Sequence, residues 1–219
     1  MRNSPGSKRA AWALAVTAAI AGATELSAHR RDEYLQAARL GIDPGIVELE
    51  LDLTPGIALA EAIIAEIDRN RDGALSPDEQ RAYGDAVVKA LTLQIDGTPL
   101  RAELAAASFP DLEAVRRGEG TIQLQSTAAL PRLATGPHQL LYRNGHHPDG
   151  SVYLANALVP ASKEVAVTGQ RRDGDQTQLT IDYMLRDAPA SPRAAWLLAC
   201  LTAAAMLWLI VVRRSRSAG

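Results

Sequence analysis

The chain has 219 residues, 47% of them hydrophobic and 22% charged, with a net charge of −2. That near-neutral balance, with no basic stripe interleaved with aromatic residues, excludes nucleic acid as a partner class. The single cysteine, Cys200, excludes an internal disulfide, so the fold must hold by packing or by metal.

The start, MRNSPGSKRA, carries Arg2, Lys8 and Arg9, and the uncharged run AAWALAVTAAIAGAT follows before Glu25. A basic leader ahead of a short apolar stretch has the form of a secretory signal, and the run is short for a spanning helix. Small residues permit cleavage after Ala23 or after Ala28. The segment that follows is therefore expected to be exported.

Between about His29 and Leu185 the pattern is mostly alternating. VELELDL sets Val47, Leu49, Leu51 and Leu53 on one face and Glu48, Glu50 and Asp52 on the other, as a half-buried strand with a solvated acidic face requires. The alternation then breaks. From Ile57 to Ile67 the apolar residues Leu59, Ile63, Ile64 and Ile67 recur at helical spacing, and from Pro77 to Leu91 so do Tyr83, Val87, Val88 and Leu91. A helix, a polar loop and a second helix are thus inserted among strands.

The loop reads DRNRDGALSPDE, Asp68 to Glu79. A hard cation prefers about six to eight oxygens, and a loop that uses alternate positions and ends in a bidentate carboxylate supplies them. Asp68, Asn70 and Asp72 offer side-chain oxygens, Ala74 its backbone carbonyl, Ser76 a direct or water-bridged contact, and Glu79 both carboxylate oxygens. Gly73 permits the sharp positive-φ turn. A metal-free alternative covers part of the same stretch, because Ser76-Pro77-Asp78-Glu79 is a capping box with proline at the first helical position. It leaves the spacing of Asp68, Asn70, Asp72 and Gly73 unexplained.

Over about residues 57–91 the chain resembles the EF-hand family, with every ligand position of DRNRDGALSPDE matched. The resemblance implies a helix-loop-helix that binds calcium through Asp68, Asn70, Asp72, Ala74, Ser76 and Glu79. Arg69 and Arg71 offset part of the carboxylate charge, and the chain has no second such loop to pair with the first. Weak binding, about 10⁻⁴–10⁻³ M, is expected of an extracellular module, with the ion rigidifying the helix pair.

After the second helix, strands are expected in LTLQIDG, LRAELAA, TIQLQST, HQLLYRN, SVYLANALV, KEVAVTG and TQLTIDYML, with turns at Asp96-Gly97 and Asp173-Gly174. RRDGDQ, Arg171 to Gln176, looks like half a metal loop but has no glutamate at the required distance, so it reads as a hairpin turn. About eight short strands predict an antiparallel β-sandwich carrying the inserted EF-hand.

Of the four histidines, His138 reads as a strand residue, while His146 and His147 precede Pro148-Asp149-Gly150 and read as exposed turn residues. If cleavage falls after Ala28, the free amine and imidazole of His29 could chelate a transition metal with His146 or His147. Neutral imidazoles do not suit calcium, so replacing both is expected to leave calcium binding unchanged. No nucleophile elbow or zinc-protease helix occurs, and the expectation is a protein that is not an enzyme.

RDAPASPR, residues 186–193, carries two prolines and suits an extended tether. AAWLLACLTAAAMLWLIVV, residues 194–212, has no charge and, at about 1.5 Å per residue, matches the bilayer's hydrocarbon thickness as one transmembrane helix. Trp196 and Trp208 lie toward its ends, and Arg213, Arg214 and Arg216 place the tail, 213–219, in the cytoplasm.

SAHRRDEYLQA followed by a strand, an EF-hand and further strands also resembles, more loosely, exported domains of bacterial membrane proteins, including those ahead of nickel/cobalt-permease-like bundles. That resemblance favours cleavage after Ala28, but a single membrane helix builds no transport path. The expectation is a signal at 1–28 and a periplasmic domain at 29–185, anchored in a bacterial inner membrane. It binds calcium for structure or for a membrane or periplasmic partner protein. The alternatives are an accessory domain of a nickel, cobalt or copper system, and a hydrolase with an unrecognised site.

Overall fold

The structure, a computed structural model, describes residues 33–147 and 149–187. The expected signal, His29, the expected span at 194–212 and the tail lie outside the described residues. Among the described residues no helix is long and apolar enough to cross a membrane. The chain divides into two compact units between Leu185 and Arg186, and both sheets belong to the first.

The first strands, β1 (Tyr34–Asp43) and β2 (Ile46–Pro55), form a hairpin through Pro44 and Gly45, whose φ of +90° suits glycine. Helices α1 (Ala60–Ile67) and α2 (Pro77–Lys89) follow. Next come β3 (Leu91–Ile95), β4 (Thr98–Leu100), β5 (Ala102–Ser108) and a short helix α3 (Leu112–Arg116). The last strands are β6 (Ile122–Ala129), β7 (Gly136–Asn144), β8 (Ser151–Ala157), β9 (Val165–Arg172) and β10 (Gln178–Leu185).

Two five-stranded sheets result, ordered β5-β6-β2-β1-β8 and β4-β3-β7-β10-β9. Alternate residues of both, among them Leu40, Leu49, Leu124, Leu93, Leu140 and Ile181, fill one hydrophobic cluster. Burying large aliphatic side chains from two facing sheets stabilises each by roughly 1.5–3 kcal/mol over leaving it in water. Ile63 and Ile67 of α1 and Tyr83 and Val87 of α2 join the same cluster, so the helix pair is part of the core and not an appendage. The acidic outer face of β2 is not merely solvated, since Arg39 bonds both Glu50 and Asp52.

The observed sheets are antiparallel-rich but depart from the all-antiparallel expectation at one place. β1 and β8 pair in parallel, from Tyr34↔Ser151 to Leu40↔Ala157, while the other pairings are antiparallel. No tight turn joins these two strands. β8 enters its sheet by crossing over from β7 in the other one, so its direction beside β1 is not set by a hairpin. The helices are also shorter than expected: α1 starts at Ala60, not Ile57, and Leu91 opens β3 instead of closing α2.

The sandwich has two distinct ends, separated by the length of β10, roughly 26 Å at about 3.3 Å per residue. One end gathers the helices, the start of β1, the β7–β8 turn and the Asp173–Thr177 turn, where Asn144 N–H bonds the Thr177 carbonyl at 2.9 Å. The other gathers the Pro44–Gly45 turn, the Asp96–Gly97 turn, the β8–β9 loop and Leu185, which pairs with Val165 and Gly136.

Candidate metal centre

Asp68 closes α1, its N–H bonded to the Ile64 carbonyl at 2.8 Å, and its side chain is 5% exposed. Ser76 opens α2 with a complete capping box, and Pro77 supplies the first helical residue. The backbone between them is wound by two left-handed residues, Arg71 at φ 60° and Gly73 at φ 79°. Leu75, partly buried, packs against the core.

The loop's oxygens are ordered by its own backbone. The Asp68 carboxylate accepts from Asp72 N–H at 3.2 Å and Gly73 N–H at 3.0 Å. Asn70 Oδ1 accepts from Asp72 N–H at 2.9 Å, and Asp72 Oδ1 from Ala74 N–H at 2.9 Å. Glu79 lies across the loop. Its Oε1 accepts from Arg69 N–H at 3.0 Å and Asn70 N–H at 3.3 Å, and its Oε2 from the Ser76 hydroxyl at 2.7 Å and Ser76 N–H at 3.1 Å. Hydrogen bonds from Ser76 lead the causes that hold the Glu79 carboxyl below the ordinary glutamate range.

One carboxylate thus completes the capping box and ties the last loop position to the second and third. Among the described residues no three His, Cys, Asp or Glu side chains converge at metal-ligand distance. Asp68, Asn70, Asp72, Ser76 and Glu79 are all-oxygen donors on one short loop, and the chemistry of that set fits calcium and not a soft metal. Holding the ion would require Glu79 to turn from the Arg69 and Asn70 N–H groups toward the loop's centre. The Ala74 carbonyl would then be the backbone donor.

His146 and His147 lie in the β7–β8 turn as expected, but neither is fully exposed. His146 is buried, with 9% exposure, and its ring lies edge-on to Tyr34, Tyr83 and His147. Its Nε2 is 3.2 Å from the Tyr83 hydroxyl, which is 2.7 Å from that of Tyr34. Burial, then the neighbouring His147, pushes the His146 pKa down to about 4. The backbone around it is tied down as well. Gln36 and Tyr153 donate to the His146 carbonyl, while Asn144 accepts its N–H and donates to Gln36.

His147 Nε2 lies 3.0 Å from Glu66 in the last turn of α1. Both helices that flank the loop therefore touch the histidine pair, α1 through Glu66 and α2 through Tyr83. Sequence reasoning passed over Tyr34, Glu66 and Tyr83 as site residues. The one local signal was Glu66, two places before Asp68. His138 is a strand residue as expected, with Asp96 Oδ2 at 2.7 Å from Nδ1 and the Ala134 carbonyl at 2.7 Å from Nε2. The chain matches no protein-family model, and no curated protein matches it.

Proposed function

We propose that this chain is an exported, membrane-anchored calcium-binding protein, in which the ion orders the α1–loop–α2 insertion for structure or for docking a partner protein. The observation that carries this reading is the loop itself: Asp68, Asn70, Asp72 and Glu79 held by its backbone within one turn between two core-packed helices, wound at Arg71 and Gly73. The signal at 1–28, the span at 194–212 and the basic tail support a periplasmic domain on a bacterial inner membrane with a cytoplasmic C-terminus. The work is binding and not catalysis.

The rival reading, an accessory site for nickel, cobalt or copper, has less support. His146 Nε2 is engaged by Tyr83 and His147 Nε2 by Glu66, so ligation through either Nε2 would cost that imidazole its partner. Calorimetry on the detergent-solubilised full chain, with calcium, magnesium, nickel and copper titrated in parallel, tests both. Calcium should bind wild type and raise its Tm, and should do neither in Glu79→Gln, which keeps the size but loses the charge and the bidentate carboxylate. Equal thermal shifts in the two proteins would reduce the loop to a capped polar turn.

A further inference from the structure

The end of the sandwich opposite the helices carries an apolar feature that calcium binding does not use. In the β8–β9 loop Val159 is 93% exposed and the adjacent Leu158 39%. The loop is pinned: Leu158 N–H bonds the Leu40 carbonyl at 2.7 Å, Ser162 N–H the Asp43 carboxylate at 3.2 Å, and Glu164 N–H the Ser162 hydroxyl at 3.1 Å. Its two large apolar side chains are therefore presented in a fixed position.

The chain leaves the sandwich beside this loop. Leu185, the last residue of β10, pairs directly with Val165, the first residue after the loop. From there residues 186–193, at about 3.6 Å each at full extension, reach at most about 29 Å before the apolar run that begins at Ala194. We infer that the Leu158–Val159 tip is a membrane-contact element that seats in the interfacial layer of the lipid bilayer and holds the calcium-loop end away from it. This rests on the reading of 194–212 as a membrane anchor.

The chemistry of the surface suits that occupant. At this end Lys163, Arg132 and Arg101 are offset by Asp43, Asp96, Glu103 and Glu164, so the contact is apolar insertion, with salt changing it little. Tethering makes even a shallow insertion effective, because a short linker keeps the local lipid concentration high.

The test uses the full chain with Cys200→Ser, reconstituted in vesicles of roughly three parts phosphatidylethanolamine to one of phosphatidylglycerol. An environment-sensitive fluorophore is placed at Val159→Cys or, at the far end, at Asp175→Cys, and shallow nitroxide-labelled lipids serve as quenchers. Quenching at 159 should exceed that at 175 by about twofold or more, as insertion of about 5–10 Å into the interface requires. Carbonate extraction of the same vesicles keeps the two readings apart. A carbonate-resistant chain with equal quenching at both positions leaves the anchor standing and overturns the tip. A carbonate-extractable chain removes the anchor and the tip with it. Disulfide dimers of the unlabelled Val159→Cys chain, together with no lipid quenching of the labelled one, would assign the tip to a second copy and also overturn the proposal.

Discussion

The helix end and the chain-exit end of the sandwich solve the same problem, closing two sheets, in opposite ways. At the helix end polar groups are buried and bonded to one another: Tyr34 to Tyr83, Gln36 to Asn144, Tyr153 to the His146 carbonyl. At the exit end they bond to turn residues near solvent, as His138 of β7 does with Asp96 and Ala134. A network buried in a low-dielectric core fixes one arrangement, since each unpaired member costs about 1–3 kcal/mol. Turns fixed by local bonds leave the outer side chains free to meet something else. The first construction suits a site that must hold geometry, the second a surface that must touch.

The largest expected effect comes from removing the residue that joins α2 to the network. Tyr83→Ala should cost about 3–5 kcal/mol, read from denaturant unfolding, because it opens a cavity and strands the Tyr34 hydroxyl. Val159→Ala should shift stability by less than about 0.5 kcal/mol. Similar losses at the two positions would erase the contrast.

The two ends should also respond oppositely to pH. His146 has a folded pKa of about 4, below the ordinary value, so its neutral form contributes stability that is complete above the unfolded pKa. That contribution is lost as pH falls from about 6.5 toward 4 and amounts to at most about 3 kcal/mol. His138 is the reverse. Both its ring nitrogens face acceptors, the Ala134 carbonyl and the Asp96 carboxylate, which favours the charged ring and raises its pKa. Its contribution is present below the unfolded value and is lost as pH rises through the raised one. NMR titration of the imidazole protons checks both directions, and two histidines titrating together near the unperturbed value would break the distinction.

A more modest effect than the tyrosine's sharpens the loop's double role. Ser76→Ala should cost about 1 kcal/mol of capping with or without calcium, measured by thermal melts in each condition. A loss seen only with calcium would make Ser76 a ligand first and a cap second.

What could be read in the chain was what is local. The loop, its capping box, the two helical periods and the Asp96-Gly97 and Asp173-Gly174 turns depend on residues a few places apart. β1 escaped notice because its pattern misleads: inward Gln36 and Ala38 alternate with outward Leu35 and Ala37, and only the structure supplies Gln36 with His146 and Ser151 as partners. The burial of His146 was hidden for the same reason, since Tyr34 and Tyr83 come from distant parts of the chain. The parallel β1–β8 pairing left no local trace, because register between remote strands is set by the assembled sheets.

That pairing has a consequence in time. The second neighbour of β1 lies more than a hundred residues after it, so the hairpin of β1 and β2 can form long before β8 exists. Until residue 157 is available, one side of β1 is an open edge, and unpaired edges of this kind recruit other strands. A chain made in order through these strands must therefore cross a window in which β1 is paired on one side only, and that window closes when β8 arrives to cover it.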